Sequence, residues 1–226
     1  MDDIIFHQRI MLNKMREPVS GLTHLFAAVL SLAGMAVLIF TGTGNLTKRI
    51  SLYVYGFSLV FMFTSSAVYH LVNRGDEIKK RLRKLDHSAI FIQIAGTYTP
   101  ICLFYFRGFW QWGMLTVIWL IAIAGVTVKI FIINAPRRLS TGIYLLMGWL
   151  SVMAVSEILK SFPASALFWL LLGGLFFTAG AIIYVLKKPD LFPGVFGFHE
   201  IWHLFVILGC LSHFILVAFY IAPDAY

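Results

Sequence analysis

Seven stretches of roughly 20 mainly apolar residues run through this chain, and that repetition constrains the fold more than any motif does. They lie at about 19–40, 50–72, 87–106, 111–133, 140–160, 165–186 and 199–222. A helix rising about 1.5 Å per residue needs roughly 20 residues to cross a hydrocarbon core about 30 Å thick. That core offers no water to backbone N–H and C=O groups, so each stretch must close its own hydrogen bonds as a helix. Composition agrees. Of the 226 residues, 60% are hydrophobic and 12% are charged, whereas a soluble domain averages about 25% charged. The predicted fold class is an all-α membrane protein, a seven-transmembrane-helix bundle. It divides into a polar N-terminal segment, 1–18, and a transmembrane domain, 19–222.

The basic residues set the expected orientation. With the N-terminus in the cytoplasm, Arg9, Lys14 and Arg16 fall inside, as do Arg74, Lys79, Lys80, Arg81, Arg83 and Lys84. Lys129, Arg137, Arg138, Lys187 and Lys188 join them, making 14 of the 18 Lys and Arg residues. Only Lys48, Arg49, Arg107 and Lys160 fall outside. This is the asymmetry of the positive-inside rule, and seven spans then leave the C-terminus outside. Trp110, Trp112, Trp169 and Tyr220 lie near the outer boundary, where aromatic rings anchor. The same rule accounts for the net charge of +8, so no nucleic-acid partner is expected. The first apolar run is too long for a signal-peptide core, so cleavage is not expected. Ile4, Ile5, Phe6, Ile10, Met11 and Leu12 have the makings of a short interfacial helix. Cys102 and Cys210 sit inside apolar runs and read as packing residues rather than a disulfide. Pro100 falls inside span three, where Gly96, Thr97 and Thr99 suit close helix packing.

Ionisable groups inside a membrane are costly and point to function. Here they gather at one depth. Ser66 and His70 are four apart at the inner end of span two, and so share a helix face. His199 and His203 repeat that spacing at the inner start of span seven, and Asp86 stands at the inner start of span three. Hydropathy and the basic residues fix the topology without them, yet it brings three imidazoles, a carboxylate and a hydroxyl to the same level. Three protein ligands with a fourth position left for water is the usual catalytic zinc arrangement. Imidazole suits zinc, while iron, nickel and copper stay open from sequence alone. His199-Glu200-x-x-His203 also fits the H-E-x-x-H pattern of zinc proteases, in which the Glu is the general base. That pattern does not call for His70, Ser66 or Asp86, and Glu200 equally fits a first-turn acid at a helix N-terminus. His213, ten residues beyond His203 and so about 15 Å along the helix, cannot share the site. His24 reads as either a support for the ligands or a packing residue. His87 points about 100° away from Asp86 around the helix.

Several motifs in order resemble the hemolysin III family. They are Glu17-Pro18 with Thr23-His24, Ser66-x-x-x-His70 and Leu85-Asp86-His87-Ser88. Ala95-Gly96-Thr97-Tyr98-Thr99-Pro100, Tyr144 to Leu150 and His199-x-Ile201-Trp202-His203-Leu204 complete the set. The resemblance spans about 17 to 214 and places the chain in the superfamily of progestin and adipoQ receptors, which includes the adiponectin receptors. It implies seven helices with a cytoplasmic N-terminus, in the bacterial plasma membrane. It implies a zinc ion on His70, His199 and His203, with Ser66 and Asp86 completing the site. His87 stands where the animal receptors carry Tyr, and the long N-terminal domain of those receptors has no counterpart here, so receptor signalling is not expected.

The leading expectation is a zinc-dependent hydrolase of a lipid amide or ester, with membrane lipid as both surroundings and substrate. Asp86 would take a proton from water and Ser66 would orient it or donate to an oxyanion. The alternatives are a non-catalytic sensor or homeostasis protein with structural zinc, and a hemolysin-like cytolysin. Long apolar spans suit a resident membrane protein better than a toxin that inserts later. The charge asymmetry predicts that a C-terminal reporter active only outside the cytoplasm will work. A reporter in the 74–84 loop should behave as cytoplasmic, and the opposite pair of results would overturn the topology.

Overall fold

The computed structural model describes residues 15–131, 136–192 and 195–223. Seven helices there are long and apolar enough to cross a membrane. They are α1 (Pro18–Thr41), α2 (Leu46–Leu71), α3 (Asp76–Tyr105), α4 (Gly108–Phe131), α5 (Arg137–Ser161), α6 (Ala164–Leu186) and α7 (Phe198–Tyr220). The interfacial helix expected around 4–12 lies outside the described residues. Large apolar side chains remain exposed over the bundle, among them Phe40 at 85% and Phe131 at 79%. That surface is affordable only where lipid is the solvent.

Helix ends follow local chemistry. Pro18 opens α1, where its missing N–H is not needed. Asn45 caps α2 by accepting from the Lys48 N–H at 3.0 Å. One predicted boundary was well off. α3 begins at Asp76, eleven residues before the apolar run that was expected to start it at 87. Asp76 and Glu77 sit in its first turn and favour a helix N-terminus. Glu77 also pairs with Lys80 at 2.8 Å. Hydropathy marks only the part of a helix that meets lipid, and this one extends past it.

Sequential helices pair around the bundle except α4 and α5, α5 packing on α3 and α6 instead, and α1 meets α7. α3 occupies the middle: 72% of its apolar window is buried, against 17% for α5. Tyr55, Leu52, Phe91, Phe106 and Ile118 fill the interior. The α6–α7 seam needs small residues. A Cβ at Gly180 would stand 2.7 Å from Phe205 Cβ, and one at Gly209 would stand 2.7 Å from the Phe177 ring.

α5 is interrupted. Its α-helical parts, Arg137–Trp149 and Val155–Ser161, are joined by a tighter 3₁₀ turn, Leu150–Ala154. Such a break strands backbone groups that lipid cannot satisfy. Tyr98 of α3 supplies the partners. Its hydroxyl donates to the Gly148 carbonyl at 2.7 Å and accepts from the Ser151 N–H at 2.9 Å. Tyr98→Phe should therefore lower the melting temperature in detergent by several degrees, a loss of about 2 kcal/mol. Tyr53→Phe, whose hydroxyl meets only Arg49 at 3.5 Å on an exposed face, should leave it unchanged.

Candidate metal centre

Three helix ends converge to make this site. α2 delivers His70 in its last turn, α7 delivers His199 and His203 in its first two turns, and α1 is tied to both. The Glu17 backbone N–H donates to the His70 carbonyl at 3.1 Å, joining the start of α1 to the end of α2. Glu200 joins α1 to α7. One carboxylate oxygen accepts from Ser20 Oγ at 2.9 Å and the other from the Gly197 N–H at 2.9 Å. Both oxygens of Glu200 are thus engaged in holding the helix start.

The result is a compact set of rings. One nitrogen from each of His70, His199 and His203 lies within 4.8 Å of the others. Ring centroids are 4.7 Å apart for His70–His203 and His199–His203, and 5.1 Å apart for His70–His199. His70 and His203 are each 2% exposed. His199 Nε2 and His203 Nδ1 are buried with no hydrogen-bond partner. A buried polar atom without a partner is costly, and two imidazole lone pairs in that state suit a bound cation. Zn–N bonds of about 2.0–2.1 Å put tetrahedral nitrogens roughly 3.4 Å apart, so small ring rotations would bring this set onto one ion.

Sequence spacing did not reveal what holds His70. Its Nδ1 contacts the Glu17 carboxylate. This is the carboxylate–histidine arrangement that orients metal-binding imidazoles, and it leaves Nε2 as the ring nitrogen open to another ligand. Burial works to raise the Glu17 carboxyl, but the hydrogen bond and charge of His70, with Arg16 alongside, outweigh it and hold the group at about 2. Arg16 also pairs with Glu17 at 3.1 Å. Glu17 was visible in the sequence only as part of a motif, because a contact spanning 53 residues has no periodicity to betray it.

The other candidates fall around this set. Asp86 and Ser66 are both buried, and Ser66 is near enough to act on the Asp86 carboxylate. His24 comes closer to the cluster than its position alone required. Its ring lies 3.9 Å from that of His203, and neither of its nitrogens has a partner. The His87 ring turns back toward its neighbour, with Nε2 3.9 Å from Asp86 Oδ2. Its angular offset from Asp86 therefore does not keep it away from the site, because a flexible side chain spans the difference. His213 stands apart, its Nε2 donating to the Leu170 carbonyl at 3.2 Å. Cys102 and Cys210 are buried free thiols.

All three histidines, Asp86 and Ser66 line one cavity of about 940 Å³. From the polar histidine end it continues along α3, α5, α6 and α7 past Ile94, Leu145, Val152, Val155 and Leu167. Its long apolar stem has the dimensions and chemistry of a site for a molecule with hydrocarbon chains.

Known proteins place the chain in a lineage. The family model described as "Haemolysin-III related" matches residues 12–214. The chain belongs to the haemolysin-III family. Among relatives of this family member, "Hemolysin-3" of Bacillus cereus is 35% identical, over 92% of this chain and 93% of that protein. "Hemolysin-3 homolog" of Bacillus subtilis (strain 168) is 34% identical, over 90% and 93%. More distant is "Monocyte to macrophage differentiation factor" of Homo sapiens, 28% identical over 85% and 79%. With seven apolar helices, this haemolysin-III family protein is an integral, multi-pass membrane protein.

The engagement of both Glu200 oxygens generates a prediction. Glu200→Gln should cost about 1–2 kcal/mol of stability, seen as a lower melting temperature, and leave metal content per folded chain unchanged. Unchanged stability with abolished function would instead mark Glu200 as the base of an H-E-x-x-H site.

Proposed function

We propose that this protein is a zinc-dependent membrane hydrolase acting on a lipid amide or ester. The observation that carries the reading is the histidine set itself: three mutually close imidazoles, two buried and one half-buried, open onto an apolar cavity beside a carboxylate and a hydroxyl. Ligands of this type and number suit zinc.

His70, His199 and His203 would hold the ion, and Glu17 would fix the His70 tautomer. Zinc, when bound, supplies Lewis acidity, activating water and polarising a carbonyl oxygen. The remaining roles belong to the chain. Asp86 accepts a proton at its carboxylate, and Ser66, which lines the cavity beside it, orients the water or donates to an oxyanion. The apolar stem takes the hydrocarbon chain and sets the polar group of the lipid at the histidine end. Burial keeps bulk water from the reacting bond, which strengthens each of these interactions. The setting is the plasma membrane, with the histidine end facing the cytoplasm.

Elemental analysis of purified protein should find about one zinc per chain, as expected for a single three-histidine site. Alanine at His70, His199 or His203 should cut that content sharply, and His213→Ala should not. Asp86→Asn should keep the zinc and lose the lipid product seen when cells with and without the gene are compared. Full zinc in His70→Ala would refute the ligand set. A product that persists in Asp86→Asn would leave a structural or sensing role for the metal.

A further inference from the structure

A second group of ionisable side chains lies at the same cavity, on α3 and α5, with Lys129 of α4 behind them. Lys129, in the last turn of α4, is only 4% exposed. Its ammonium donates to Ser140 Oγ at 2.6 Å. Among the described residues no carboxylate forms an ion pair with Lys129 or with Arg137. Arg83 is near enough to Lys129 and His87 for its charge to act on both. Arg137 is held by Tyr184, whose ring lies 4.4 Å from the guanidinium carbon and whose carbonyl accepts from Nη1 at 3.3 Å. Arg83, Arg137, Ser140 and Thr141 all line the cavity, and Lys129 stands behind Ser140.

A bland reading would count these as positive-inside charges, but such charges stay in water. Lys129 does not. A lysine that buried is costly unless something neutralises it. Two acids at the cavity are engaged at other groups: Glu17 with His70 and Arg16, and Glu200 with Ser20 and Gly197. Ser140 accepts from Lys129, so its own O–H is left to donate. The mouth is therefore a collection of donors with two guanidiniums, whose forked N–H groups match phosphate oxygens. Beyond it the walls turn apolar. Ile94 lies eleven residues past Arg83 and Val155 fifteen past Ser140, about 16 Å and 22 Å along their helices.

We infer that this mouth binds the phosphate group of a membrane lipid whose hydrocarbon chains occupy the apolar stem. The inference rests on the cavity being a lipid site and names the substrate class as a phosphate-bearing lipid. Arg83 and Arg137 grip the phosphate, Ser140 donates to it, and the Lys129 charge acts through Ser140.

The test uses full-length protein in an uncharged detergent, with binding followed by native mass spectrometry and thermal shift. Phosphatidic acid should bind and raise the melting temperature, whereas diacylglycerol with the same chains should bind at least about tenfold more weakly. Arg83→Gln and Arg137→Gln should each weaken phosphatidic acid by about tenfold. Arg107→Gln, at the other end of the bundle, should not. Lys129→Met should weaken binding while leaving the protein as stable or more so, because it removes a buried charge. Equal binding of the two lipids, or unaltered binding in all three variants at the mouth, would overturn the inference. So would inorganic phosphate matching the lipid, which would mark a free-anion site. Zinc content measured on the same samples separates the two readings. Charge-dependent lipid binding without zinc would sink the hydrolase and spare this site, and zinc without it would do the reverse.

Discussion

Inside a bilayer every polar group must find its partner within the protein, and the architecture here is organised by that requirement. Seven helices satisfy their own backbones. Where a helix breaks, at Leu150–Ala154, the Tyr98 hydroxyl enters to complete the backbone bonds. Where helices start or stop, side chains bridge to the next one: Glu200 to Ser20, Glu17 to His70. These bridges draw the ends of α1, α2 and α7 together and set the depth of the histidines.

The same requirement makes the exceptions informative. His199 Nε2, His203 Nδ1 and both nitrogens of His24 are buried without a hydrogen bond among the described residues, and they lie in one cluster. Among the described residues the buried Lys129 ammonium has one hydroxyl partner, Ser140. Clustered in this way, such groups suit a ligand that completes the set. One group is basic in the Lewis sense and suits a cation. The other is a set of donors and suits an anion. The histidines line the cavity together with Arg83, Arg137 and Ser140, and Lys129 stands behind Ser140.

This division has a physical logic for a molecule that is part polar and part hydrocarbon. For the proposed lipid the apolar stem would supply most of the contact area, and area alone discriminates poorly between lipids of similar chain length. Selectivity must come from polar groups that are left unpaired when the wrong molecule binds. Guanidiniums fixed by stacking, as Arg137 is on Tyr184, hold their direction better than a free lysine.

The sequence by itself determined the fold class, the number of spans and the level at which His70, Asp86, His199 and His203 sit. Those follow from hydropathy and helical period, which are local properties of the chain. It also carried the family, through ordered motifs that span most of its length. It misplaced the start of α3, because a charged helix outside the membrane has no apolar period to read. Only the tertiary structure decided which groups touch. Glu17 against His70, His24 against His203, Tyr98 in the break of α5 and Lys129 behind Ser140 each join residues from different helices. Lateral packing of helices depends on side-chain shape across interfaces, and no repeat along one helix encodes which neighbour it will meet.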